Sequence, residues 1–403
     1  MSSQADAARA APVHTVAEAL RAGLPDYAAE HRMPPHHWRV LRAITACRTP
    51  QLGGHLYECG QCGARRFVPH SCRNRHCPTC QGANGRAWME QQAGALLPVP
   101  YFHLVFTLPH ALNPLIRQNQ ARCYDLLFEA ASATLLEFGR QELGAQLGLT
   151  IVLHTWSQTL LDHYHVHCIV TGGGLRPDGT WAGTPGHWLF PVRALSAMFR
   201  GKFKAGLRRL HRDASLEFHG QLEALAQPAR FDALVHAASG EKWVVYAKRP
   251  FAGPRTVLAY LARYTHRVGI TNSRIRSVDA QAGTVRFAYK DYADAARRKE
   301  MTLPCAEFVR RLRLHILPGR FVKIRHYGML SNRNRRARIA QARAALPAMT
   351  EIDAPVAPSD GDSRGAGMPA RCPHCQQADW VLVAILPPEH PPRARAPPRC
   401  ASP

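Results

Sequence analysis

The chain has 403 residues, with 52 Lys and Arg against 28 Asp and Glu, for a formal charge of +24. That length supports a large core and two to three structural units, and an apolar content of 46% is ordinary for a chain that folds. No run of about 18 apolar residues exists, which excludes a helical membrane span.

The arginines are spread along the whole sequence, so the charge is a general field rather than a basic tail. Such a field attracts polyanions, nucleic acid first and anionic membrane second, and the guanidinium fork favours phosphate because it binds two oxygens at once. The N-terminus has no basic-then-apolar signal pattern. The chain is therefore expected in the cytoplasm, associated with the nucleoid, where thiols stay reduced. Its twelve cysteines then read as metal ligands rather than disulfides, and six of them fall between Cys47 and Cys80.

In chain order, residues 1–35 read as an Ala-rich helical lead-in and 36–95 hold a cysteine and histidine cluster. A strand is predicted over 101–108, an amphipathic helix over 122–143, and two strands over 150–156 and 164–171, the second ended by Gly172-Gly173-Gly174. Helices follow over 194–210 and 217–238, then a strand over 243–247 and a helix over 254–268 with proline at its start and Gly269 at its end. A β-hairpin over 272–279 and 284–289 and a basic stretch over 320–343 complete the folded part. From about 346 to 403 the chain is Pro-, Ala- and Arg-rich and is expected to be disordered, with a lone Cys372-Pro-His-Cys375 knuckle that lacks a partner pair. This order predicts an α+β protein: a mainly antiparallel sheet with packed helices over 96–345, preceded by a small zinc-binding module over 36–95.

Cys59-x-x-Cys62 is followed after fourteen residues by Cys77-x-x-Cys80. Each knuckle offers two thiolates on one tight turn, so together they predict a four-cysteine zinc site, structural because no coordination position stays open. Cys47, His55, Cys72 and His76 lie between or beside the knuckles and form a candidate second site. Arg73 and Arg75 in the same segment make the module a candidate DNA grip.

The run Asp162-His-Tyr-His-Val-His-Cys-Ile-Val170 alternates as a strand does, which puts His163, His165 and His167 on one face. Neighbours on that face stand about 7 Å apart, so two imidazoles can lean onto one metal at about 2.1 Å, whereas His163 and His167 are about 13 Å apart. His165 and His167 are therefore the pair. His154, in the preceding strand, is the first candidate for a third ligand, with Gln158 and His163 behind it.

On the predicted helix over 254–268, Tyr264 is centred on an apolar stripe with Val257, Leu261 and Val268, while Tyr260 lies at its edge near Arg263 and Arg267. Taken alone, both tyrosines read as aromatic core. Beside a metal site their chemistry is different: a phenolate can attack a phosphodiester and hold the broken end as an ester, and a His-bound divalent ion can polarise the phosphate. Arg325 and Tyr327 sit in the basic stretch, where arginine interleaved with aromatics suits single-stranded DNA.

Taken together, these motifs resemble the rolling-circle transposases of the insertion-sequence ninety-one family, which belong to the HUH (His-hydrophobe-His) endonucleases. The matching stretches, in family order, are Cys59-Gly-Gln-Cys62, Ser71-Cys-Arg-Asn-Arg-His-Cys-Pro-Thr-Cys-Gln81, Val105-Phe-Thr-Leu-Pro109, Leu153-His-Thr-Trp156, His163-Tyr-His-Val-His167, Tyr260-Leu-Ala-Arg-Tyr-Thr-His-Arg267 and Ile324-Arg-His-Tyr-Gly328. The resemblance implies transposition through single-stranded DNA by a 5′-phosphotyrosine link, with Mg or Mn as catalytic metal, a zinc-binding DNA-contacting segment, and host proteins for unwinding. It makes His165 and His167 metal ligands, and Tyr260 and Tyr264 nucleophiles. Tyr164 stands where such sequences often carry proline. Two other readings fit the residues: a plasmid replication initiator or relaxase of the same chemistry, and a non-enzymatic zinc-dependent DNA-binding regulator. No phosphate-cradling loop is present, so ATP-driven unwinding is not expected of this chain.

Overall fold

The computed structural model describes residues 13–81, 94, 96–184, 190–240, 243–248, 268–346 and 370–389. Helix α1 (Val16–Glu30) starts at a capping box in which the Thr15 hydroxyl accepts from the Glu18 amide and the Glu18 carboxylate accepts from the Thr15 amide. Helix α2 (Pro35–Thr45) leads into strands β1 (Gly54–Cys59) and β2 (Arg65–Pro69), an antiparallel hairpin.

The central sheet is antiparallel, with strand order β11-β4-β5-β3-β7. Its members are β3 (Tyr101–Thr107), β4 (Gln146–Trp156), β5 (Asp162–Leu175), β7 (Val245–Lys248) and β11 (Ile324–Gly328), and the short β6 (Trp181–Gly183) pairs with β5 beside this path. One face is apolar on the three central strands. Leu104 and Phe106 on β3, Leu149, Ile151 and Leu153 on β4, and Tyr164, Val166, Cys168 and Val170 on β5 share the main core with α4 (Gln120–Leu143) and α5 (Val192–Arg212). Helix α3 (Asn113–Gln118) precedes α4, and α6 (Pro228–Gly240) adds Phe231 and Val235. This face is where the period-two alternation of 163–170 sends its apolar half, so the histidines go to the other face.

A second core joins regions far apart in sequence. It packs α1 and α2 against the sheet β8 (Ile275–Asp279), β9 (Thr284–Asp291) and β10 (Arg297–Pro304) and against helix α7 (Cys305–Arg313). The lead-in helix thus shares a core with 270–316. Helix α8 (Arg335–Ala345) covers one end of the histidine face through Ile339 and Ala342, against Leu97, Ile169 and Met329.

Four expectations differ from the structure. Gly172-Gly173-Gly174 does not end β5, which runs on to Leu175. The glycines are there for close packing: a Cβ on Gly173, at φ 143°, would stand 2.4 Å from the Ala182 carbonyl oxygen. The helix expected over 217–238 is broken into a 3₁₀ turn, Gly220–Ala226, and α6, because Pro228 cannot continue the first segment. Strand β10 and helix α7 were not expected; β10 carries four charged residues over eight positions and has no alternation to read. The tail contains a strand, β12 (Trp380–Leu386), paired antiparallel with β1. Among the described residues no helix is long and apolar enough to cross a membrane.

Candidate metal and DNA-processing site

The histidine face of the sheet brings His154, His165 and His167 together, with one ring nitrogen of each within 4.8 Å of the others. Strand register does this. His154 of β4 pairs directly with His165 of β5, and His167 lies two residues further along the same face. All three are buried. The His165 ring donates from Nδ1 to the His163 carbonyl, 2.8 Å, so Nε2 is the nitrogen that could hold a metal. The His154 ring stacks on Trp156, centroids 4.6 Å apart. His103, buried on β3, sets its Nε2 2.9 Å from Nδ1 of His167. Its ring stacks on that of His167 at 5.1 Å.

The other third-ligand candidates, Gln158 and His163, line the same cleft but lie outside the three-histidine group. Gln158 joins the loop after β4 to the β8–β9 region: its side-chain oxygen accepts from the Lys290 amide at 3.5 Å and its carbonyl from the Arg274 guanidinium. His163 turns to His110, 3.4 Å away, and burial together with that neighbour lowers its pKa. Just before it, the buried Asp162 carboxylate accepts from Arg117 at 3.0 Å and from the Tyr164 hydroxyl at 3.1 Å, fixing the start of β5. Beneath Trp156, His315 donates Nε2–H to the Leu160 carbonyl, 3.0 Å, and accepts at Nδ1 from Thr155, 3.2 Å. Burial pushes its pKa down to about 4.

The three histidines open on a cleft of about 480 Å³. Its far wall is the end of β9 and the turn after it, with Tyr289, Lys290, Asp291 and Tyr292. Sequence reading missed this wall, and also His103. Neither carries a motif; each reaches the site only through strand pairing or packing.

Eight of the cysteines fall into two groups, and neither is the Cys59, Cys62, Cys77, Cys80 set that spacing suggests. Cys77 and Cys80 converge with Cys47 and Cys72, and Cys59 and Cys62 converge with Cys372 and Cys375. In the first group Cys80 Sγ lies 3.6 Å from Cys47 Sγ and 3.7 Å from Cys72 Sγ. Four thiolates around tetrahedral zinc at about 2.3 Å would be separated by about 3.8 Å, so the donor set and spacing fit zinc. His55 and His76 belong to neither group. His55 packs against His70, centroids 4.7 Å apart. The backbone amide of His76 donates to Asn74 at 2.9 Å, and burial holds the ring pKa down at about 3.

Two family models match the chain. One described as "Transposase zinc-binding domain" matches residues 19–108 and one described as "Putative transposase" matches 148–338. A protein named "Putative transposase y4qJ" from Sinorhizobium fredii is 44% identical over 370 residues, covering 90% of this chain and 91% of that one. The chain belongs to the insertion-sequence ninety-one family of transposases. This transposase is also 32% identical over 310 residues to the "Transposase for insertion sequence element IS801" of Pseudomonas savastanoi pv. phaseolicola, with 73% of this chain and 70% of that one covered. A solved conjugative relaxase, TrwC in complex with OriT DNA, overlaps 45% of the transposase at 18% identity with a TM-score of 0.23, a likeness too slight to bear on function.

The remaining expected residues of the transposase sort by their surroundings. Tyr260, Arg263, Tyr264 and Arg267 lie outside the described residues. Arg73 is exposed, at positive φ, on the loop before the second knuckle. Arg75 instead holds the cysteine module to the segment after α7, donating to the carbonyls of Phe321 and Pro318. Arg325 pairs with Asp125 and lies over the rings of Phe128 and Phe321, at 4.3 and 5.0 Å, so its guanidinium is used in packing. Tyr327 is half-buried against the main core.

Proposed function

We propose that this transposase cleaves and rejoins single-stranded DNA at element ends, with Tyr260 and Tyr264 as nucleophiles and His154, His165 and His167 holding Mg or Mn. The observation that carries this reading is the convergence of three buried imidazoles from paired strands on one open cleft. An ion bound there would act as a Lewis acid on the scissile phosphate.

The protein's own residues do the rest. A tyrosine hydroxyl gives up its proton as its oxygen forms a bond to phosphorus. The bond from phosphorus to the 3′ oxygen breaks, and that oxygen takes a proton to leave as a hydroxyl. The DNA 5′ end stays on the tyrosine as an ester, which a later 3′ hydroxyl attacks to rejoin the strand and restore the phenol. Two tyrosines four residues apart, one turn from each other on the helix that the sequence predicts, would serve two such cleavages in succession. His103 holds the His167 ring in place from behind. The cysteine module carries structural zinc at Cys47, Cys72, Cys77 and Cys80, and the net charge of +24 draws DNA to the chain. Unwinding is left to host proteins, since the sequence has no phosphate-cradling loop.

The test is covalent-adduct formation on single-stranded element ends with Mn, read on a denaturing gel. Wild type should give a protein–oligonucleotide band. Tyr260→Phe and Tyr264→Phe should each lose part of the reaction, and the double variant all of it, while DNA binding persists. A normal adduct from the double variant would overturn the proposal. No adduct from wild type would favour a zinc-dependent DNA-binding regulator.

A further inference from the structure

We infer that Cys59, Cys62, Cys372 and Cys375 bind a second zinc ion, which clasps the C-terminal segment to the N-terminal hairpin. Half of these donors lie far outside the segment matched by the zinc-binding family model. Cys59 Sγ is 3.5 Å from Cys375 Sγ, and Cys62 Sγ is 3.6 Å from Cys372 Sγ. These separations are far longer than a disulfide at about 2.05 Å and close to the edge of a tetrahedral ZnS₄ site, about 3.8 Å.

The two knuckles have the same backbone shape. In each, the residue after the second cysteine takes a left-handed conformation, Gly63 at φ 71° and Gln376 at φ 61°. In each, that residue's amide donates to the carbonyl of the first cysteine, Gly63 to Cys59 at 2.9 Å and Gln376 to Cys372 at 2.8 Å. Two matched turns facing each other make the usual form of a four-cysteine ribbon. The flanking chain is aligned as well: Cys59 pairs with Trp380 across β1 and β12, and the Gly60 amide donates to the Asp379 carbonyl at 3.0 Å.

Apolar burial does not hold β12 in place. Val381, Val383 and Ile385 remain 53%, 50% and 64% exposed, and β12 is the edge of a three-stranded sheet. An edge strand with exposed side chains is marginal on its ladder alone, so the clasp is the element that fixes it. The cysteine module is then built from both ends of the chain, and it is complete only when the C-terminal knuckle is present.

The experiment is metal content of the full chain by mass spectrometry, together with protection of residues 370–389 from limited proteolysis. Wild type should carry two zinc ions, and Cys372→Ser/Cys375→Ser one, with 370–389 becoming protease-sensitive. Cys59→Ser/Cys62→Ser should lose the same ion and the same protection, which separates loss of the clasp from misfolding caused by either variant. Circular dichroism should stay near wild type for both. One zinc in wild type, or two retained by Cys372→Ser/Cys375→Ser, would overturn the inference. Neither readout depends on adduct chemistry, so this test can fail independently of the proposed DNA reaction.

Discussion

His103 Nε2 and His167 Nδ1 lie 2.9 Å apart on adjacent strands, with their rings nearly parallel at an interplanar angle of 12°. His103 is itself outside the three-histidine group, so it acts by fixing the ring and tautomer of a residue inside it.

Removing that support should weaken metal binding without unfolding the chain. His103→Leu is expected to raise the Mn dissociation constant by about 10- to 100-fold. Calorimetric titration with Mn measures this, and Gln at position 103, which can still hydrogen-bond, should recover part of the loss. An unchanged affinity in both variants would show that His103 only fills space.

The third-ligand assignment separates two histidines that sequence spacing leaves open. His154→Ala should abolish measurable Mn binding, because it takes one of three converging nitrogens. His163→Ala should change it by less than about threefold, less than the loss of even a supporting contact, because that ring faces His110. The same titration on both variants checks the pair, and reversal of their order would assign the site differently.

Acid should destabilise the protein through His315. Its pKa is lowered to about 4 by burial, against an ordinary value of 6.5, so the unfolded chain takes up its proton first. Stability is therefore fully present above about pH 6.5 and falls as pH drops toward 4. Between pH 7 and pH 5 the cost is roughly 2 kcal/mol for this group. Urea denaturation at the two pH values should show a smaller drop in His315→Gln than in wild type; an identical drop would place the acid sensitivity elsewhere.

Gly328 ends β11 at φ 62°, and a Cβ there would meet the Leu147 carbonyl oxygen at 1.9 Å. Gly328→Ala combines a left-handed backbone with a main-chain clash, so it should cost about 2 kcal/mol or more. Denaturant midpoints measure the loss, and a variant as stable as wild type would mean that β11 can shift along β4.

The sequence by itself determined what is local. Alternation placed His165 and His167 on one face of β5 and Tyr164, Val166 and Cys168 on the other, because side chains of a strand alternate whatever it pairs with. The CxxC spacing marked each thiolate pair, because a knuckle is one tight turn. The α+β class followed from the order of periodic segments, and the transposase family from the order of the motifs. Pairing partners were decided only by the tertiary structure. Strand register grouped His154, rather than Gln158 or His163, with His165 and His167, and brought His103 behind His167. Antiparallel pairing of β1 with β12 carried Cys372 and Cys375 to Cys59 and Cys62, which freed Cys77 and Cys80 to join Cys47 and Cys72. Which knuckles meet depends on contacts more than 300 residues apart in sequence, and no local pattern encodes that choice.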